Sequence, residues 1–190
     1  MDKIYLTIRK ITIAPIMAAI MLTAFFIFTP EIFQSVFMYV LSLFFLGILP
    51  MLAYPMQKHI PSYKNKGRDG QRTLAMIFAV SGYVLGIAAG LFTHAPEGTI
   101  LIYLEYLLSG MIILLLNKCF HRKISGHACG VFGPIALFIY FKLYICAAIG
   151  IVVIVFVYIS SLHTKRHTLT QLIGGSIVPF AALFLICFLK

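Results

Sequence analysis

Long apolar stretches alternate with short polar ones along this 190-residue chain, at positions 11–29, 32–54, 73–92, 100–116, 128–141, 143–160 and 169–189. Most approach the ~20 residues that a helix needs to cross the hydrocarbon core of a bilayer. They are too long and too evenly apolar to show the alternation of a barrel strand. Backbone groups in lipid must be satisfied within their own segment, so helices are expected. The pattern predicts an all-α integral membrane protein, a polytopic bundle of six to seven transmembrane helices. The fifth run is the shortest and holds Gly130, Gly133 and Pro134. Lys142 divides it from the sixth, so a hairpin turn belongs there, and further turns are expected at Pro30 and over 93–98. No repeat or soluble domain interrupts the series. The expected organisation is one transmembrane domain, 1–190, whose motif-bearing core spans 57–190.

Composition narrows the class. With 62% hydrophobic and 11% charged residues and a mean hydropathy of +1.03, a soluble fold of this length could not bury its apolar surface. The first ten residues carry Lys3, Arg9 and Lys10, but the run that follows is too long for a signal-peptide core and is expected to be a retained span. Cys119, Cys129, Cys146 and Cys187 are scattered without a close pair, which suits packing better than disulfides or thiolate metal sites.

Two crossings separate the basic loop 57–72 from Ser125-Gly126-His127, and two more separate that segment from His167. The three polar segments and the basic N-terminal tail are therefore expected on one face. That face carries 13 of the 15 Lys and Arg residues. The excess of cations places it in the cytoplasm, at a bacterial-type cell membrane. Cations recruited to bind phosphate would add to the excess whichever way the face pointed.

Two polar islands, 123–127 and 160–171, carry the candidate chemistry. Two histidines among cations suit phosphoryl transfer, in which one imidazole attacks phosphorus while the other protonates the departing oxygen. Simpler readings stand beside this one. The cations of 57–72 could serve only to attract anionic headgroups. His163 and His167, four apart, could form a helical zinc pair with His127 or His121 as a third ligand. His59, His94 and His121 suit the membrane interface. Glu105 falls inside the fourth run, where a carboxylate needs a partner such as Lys142 or a hydroxyl. Gly82, Gly86 and Gly90 form a stripe that would let another helix approach.

Ser125-Gly126-His127, and Ser160 seven residues before His167, resemble the second and third motifs of the type 2 phosphatidic acid phosphatase superfamily. Those motifs read Pro-Ser-Gly-His, and Ser-Arg, five residues, His, three residues, Asp. The resemblance covers roughly 63–179. Ile124 replaces the proline, Ser161 the arginine and Gln171 the aspartate. The family's first motif, Lys, six residues, Arg-Pro, is not matched: counting back from Arg72 reaches Asn65, between Lys64 and Lys66, and Thr73 stands for the proline.

The resemblance implies that His167 is the nucleophile, that His127 is the acid for the leaving group, and that Gln171 orients His167. Ser125, the Gly126 amide and Ser160 would hold phosphate oxygens. Cationic help would come from Arg72, Arg68, Lys66, Lys123 and Arg166, with the arginines preferred for bidentate binding. The implied activity is hydrolysis of a membrane lipid phosphate or diphosphate, such as phosphatidic acid, phosphatidylglycerol phosphate or a polyprenyl diphosphate, through a phosphohistidine. No metal or other cofactor and no nucleic-acid partner is expected; the partners are the lipid substrate and the bilayer. The alternatives are a lipid phosphotransferase and an inactive relative that binds or transports anionic lipids.

Overall fold

Ten α-helices follow one another along the chain in a computed structural model that describes residues 2–119 and 123–189. His121 and Arg122 lie outside the described residues. The helices are α1 (Asp2–Ile11), α2 (Ala14–Phe28), α3 (Val36–Leu43), α4 (Leu49–Met56), α5 (Pro61–Lys64), α6 (Gly67–Phe92), α7 (Glu97–Lys118), α8 (Gly126–Tyr140), α9 (Tyr144–His163) and α10 (Leu169–Phe188). A single 3-10 turn, Pro30–Ile32, and a π-helical turn, Phe44–Ile48, complete the elements; the π turn joins α3 to α4. Among the described residues there is no strand.

Five segments are long and apolar enough to cross a membrane: Val36–Met56, α6, α7, α9 and α10. The first apolar run divides differently from expectation. The N-terminal tail is itself helical, and α1 meets α2 at a bend of 54°, so the pair makes a sixth span only if it counts as one broken helix. Pro15 near the start of α2 explains the break, since it lacks the amide that would continue the ladder of α1. The fifth run forms α8, whose 15 residues rise only about 22 Å, short of the ~30 Å hydrocarbon core.

The chain divides into two compact units, one made of 18–107 and the other of 1–17 with 108–190. In the first, the glycine stripe of α6 fits its neighbours closely. A Cβ at Gly82 would collide with the carbonyl of Phe45 in the π turn, one at Gly86 with the Tyr103 ring, and one at Gly90 with Ile100. The expected close approach is present, and Tyr103 then donates to Ser42 Oγ at 3.2 Å.

In the second unit, α8 packs against both α9 and α10 and is buried almost along its whole length. That burial accounts for an apolar helix too short to span: protein, not lipid, surrounds it. Gly150 of α9 meets Ile135, Gly130 of α8 meets Ala14, and Gly175 of α10 meets the Ser125 carbonyl, each at a distance that leaves no room for a Cβ.

Helices α6, α8 and α9 end in the same way. His94, Lys142 and Lys165 take positive φ values of 52°, 62° and 50°. The next amide reaches back to the carbonyls of Gly90, Phe138 and Ser161, at 2.8, 2.8 and 3.0 Å. This 6→1 bond satisfies carbonyls that the helix end leaves open. The turn at Lys142 stands where the sequence places it.

Candidate active site

Four chain segments of the second unit come together around the two histidines. The first is the reversal between α9 and α10. The αL conformation of Lys165 ends α9 and directs Arg166 and His167 toward Thr168, which caps α10. Thr168 and Gln171 form a capping box, in which the Gln171 amide donates to Thr168 Oγ1 at 3.4 Å and the Thr168 amide donates to Gln171 Oε1 at 3.3 Å. The same Oε1 lies 3.1 Å from His167 Nδ1.

The bond between His167 and Gln171 is the one their spacing suggests, but its origin differs. His167 precedes the cap and does not share a helix face with Gln171. The glutamine folds back over the helix start to reach it. An Oε1 that already accepts from a backbone amide is a carbonyl oxygen, so His167 Nδ1 donates to it. The lone pair of a neutral His167 then sits on Nε2.

The second segment is 123–127. Ser125 caps α8 by accepting from the Ala128 amide at 3.2 Å, and its own amide donates to the Gln171 carbonyl at 3.0 Å. Asn117, near the end of α7, clamps the residue before it: the Ile124 amide donates to Oδ1 at 2.6 Å while Nδ2 donates to the Ile124 carbonyl at 3.2 Å. Gly174 and Gly175 give this segment room against α10. His127 is thereby fixed in the first turn of α8.

The third segment is α1 and the residue after it, the basic N-terminal tail of the chain. Thr12 Oγ1 lies 3.1 Å from His127 Nε2 and donates its single proton to the Ile8 carbonyl at 2.7 Å. His127 Nε2 must therefore carry a proton and donate to Thr12. Burial first, then the Arg9 guanidinium and the His167 imidazole, push His127 down to about 4. It rests neutral, with its proton on Nε2.

The fourth segment is the end of α9. Ser161 Oγ accepts from Arg9 Nη1 at 2.9 Å, Ser160 Oγ donates to the Tyr5 carbonyl at 2.8 Å, and the His163 ring tilts against Tyr5 with centroids 4.2 Å apart. Tyr5 and Arg9 of α1 and Thr12, the residue just after it, recur at helical spacing, so one side of this segment makes all of these contacts.

Each anticipated residue has a definite place. His167, His127, Gln171 and Arg166 gather here, and Lys123 and Gly126 lie exposed beside them. Ser125 and Ser160 are in the same cluster but fully buried, their hydroxyls engaged in the α8 cap and on Tyr5. Arg72, Arg68 and Lys66 belong to the other unit, exposed at and just before the start of α6, with Lys66 Nζ 5.5 Å from the centre of the Tyr63 ring. Among the described residues no three His, Cys, Asp or Glu side chains gather closely enough to hold a metal ion. The proposed zinc partner His163 is turned toward Tyr5, and His121 lies outside the described residues. Arg9, Thr12 and Asn117 were not anticipated; the available signal was the spacing of Tyr5, Arg9 and Thr12.

Comparison of the chain with protein-family models, curated protein sequences and solved structures returns no match.

Proposed function

We propose that this chain is a membrane phosphatase that removes phosphate from a lipid phosphate monoester or diphosphate through a phosphohistidine at His167. One observation carries the reading: a glutamine carbonyl accepts from His167 Nδ1, which puts the lone pair of the neutral imidazole on Nε2, and a second imidazole stands close enough for the two to interact electrostatically. Nε2 attacks phosphorus as the bond to the leaving oxygen breaks, and His127 protonates that oxygen. Water then attacks the phosphohistidine, His127 takes the proton, and phosphate leaves. A phosphate dianion entering beside His127 opposes the effects that keep this imidazole neutral, so substrate binding charges the acid it needs. The lipid chain stays in the bilayer, and the active face is the cytoplasmic one, on the excess of Lys and Arg.

A second reading, binding of anionic lipid without turnover, draws on the burial of Ser125 and Ser160 and on the absence of an anion at position 171. Phosphate release separates the two. Purified protein is given phosphatidic acid, phosphatidylglycerol phosphate or undecaprenyl diphosphate with a chelator present. Release from at least one substrate, abolished in both His167→Ala and His127→Ala, is expected. Release that survives His167→Ala would overturn the assignment, and silence across the panel would favour the binding role.

A further inference from the structure

The strongest unexplained group in the second unit is Arg9. Its guanidinium is part-buried and donates to the neutral Ser161 Oγ at 2.9 Å. One neutral acceptor satisfies little of a group with five donors and a full charge. Arg166 adds a like charge close enough to repel it. The sequence offers hardly any compensation: this unit contains ten Lys and Arg but a single acidic residue, Asp2, seven positions before Arg9. Two guanidiniums close enough to repel each other, Arg9 part-buried and Arg166 exposed, are suited to share an anion.

The position of Arg9 defines that anion. Three residues later, just past the end of α1, Thr12 accepts from His127 Nε2. On its other side, Arg9 is bonded to Ser161, whose carbonyl accepts the amide of Arg166, the residue just before His167. Through Thr12 and Arg9, the N-terminal segment thus links the helix carrying one histidine to the reversal carrying the other. Tyr5, through its carbonyl and its ring, fixes this face of α1 against Ser160 and His163.

We infer that Arg9, presented by α1 between the segments that carry His127 and His167, binds the phosphate group of the substrate, with Arg166 as its partner. The inference rests on the phosphatase reading for the identity of the substrate, but not for the presence of an anion site. The ligand chemistry is a phosphate monoester dianion. A guanidinium can grip two of its oxygens, and Ser161 aims the guanidinium. The same dianion is offered by a lipid headgroup and by free phosphate, whereas the diesters of bulk phospholipid offer one charge.

The test uses the full-length protein in phosphatidylcholine nanodiscs, with phosphatidic acid as substrate and inorganic phosphate as inhibitor and direct ligand. Arg9→Gln is expected to raise KM and the phosphate inhibition constant together by about tenfold or more, the range for losing a hydrogen bond to a charged group. His167→Ala is expected to lose turnover while still binding inorganic phosphate in calorimetry. Because Arg9 Nη1 lies at Ser161 Oγ, the double variant Arg9→Gln with Ser161→Arg returns a guanidinium to the same space, and it is expected to recover most of the binding. A structural role for Arg9 predicts no such recovery, and that result overturns the inference, as does an Arg9→Gln protein with unchanged KM and inhibition. If no lipid is hydrolysed, calorimetry decides alone. Inorganic phosphate bound by the wild type and lost in Arg9→Gln supports the site; equal binding, or none by the wild type, removes it. Replacing phosphatidic acid with phosphatidylglycerol, a diester, is expected to give no competition with inorganic phosphate, and equal competition by the diester overturns the dianion assignment.

Discussion

The Thr12 hydroxyl has one proton and gives it to Ile8, and that fact governs the protonation of His127, 115 positions along the chain. The imidazole donates from Nε2 and stays neutral, since burial beside Arg9 and His167 brings it from 6.5 to about 4. A lowered value has a definite consequence for stability. Above pH 6.5 the residue is neutral whether the chain is folded or not, and its contribution is fully present. As pH falls toward 4 the unfolded chain takes up the proton first, so the folded state loses ground. Detergent-solubilised protein should show a fall in Tm between pH 7 and pH 5, and the fall should be smaller in His127→Gln, which cannot titrate. Equal falls in both proteins would show that other groups dominate. Gln171 acts at the same level, since one side-chain oxygen caps α10 and holds His167.

The turns that end helices decide where these side chains point. Lys165 holds an αL conformation that costs an L-residue with a Cβ about 1 kcal/mol relative to glycine. Its reward is the bond from the Arg166 amide to the Ser161 carbonyl, which folds the chain back and leaves His167 just outside α10. Lys165→Gly is therefore expected to raise stability by about 1 kcal/mol with phosphate release retained. Thermal unfolding checks it: a decrease in Tm would mean that the lysine side chain contributes more than its backbone costs. Helix α8 illustrates a different constraint. Its N-terminus is set by three independent ties, namely Asn117 on Ile124, Ser125 on the Ala128 amide, and the Ser125 amide on Gln171, which together fix the direction in which His127 leaves the helix.

Across the second unit, charge is distributed unevenly along its helices. Lys118, Lys123, Lys165, Arg166, Arg9 and Lys10 all fall at or near helix ends that meet around the histidines, while Lys142 stands alone at the α8–α9 turn. Because α9 is one of the segments long and apolar enough to cross a membrane, Lys142 and Lys165 flank a candidate span. Single cysteines placed at 123 and 165 in a cysteine-free background should label from one side of the membrane, and one at 142 from the other. Labelling of 142 and 165 from the same side would show that α9 does not cross. The short α8 fits this arrangement because its flanks are protein, so its length need not match the bilayer.

The elements were legible along the chain because lipid imposes length and uniform apolarity on any helix that crosses it, and breaks must carry polar residues, glycine or proline. The same local logic exposed the close packing at Gly82, Gly86 and Gly90, which depends on a repeat of four, whereas the bond between His167 and Gln171 comes from the capping box of α10. It misjudged the N-terminal tail, which reads as a source of orienting charge and folds as a helix that meets the next at a bend. The resemblance implies phosphate contacts for Ser125 and Ser160, and in the structure both hydroxyls are buried with backbone partners. The contacts of Arg9 with Ser161 and of Thr12 with His127 join residues 152 and 115 positions apart. No periodicity encodes such a pairing: it exists because α1 docks against the end of α9 and the start of α8, and docking depends on the shapes of surfaces that form only once the helices are in place.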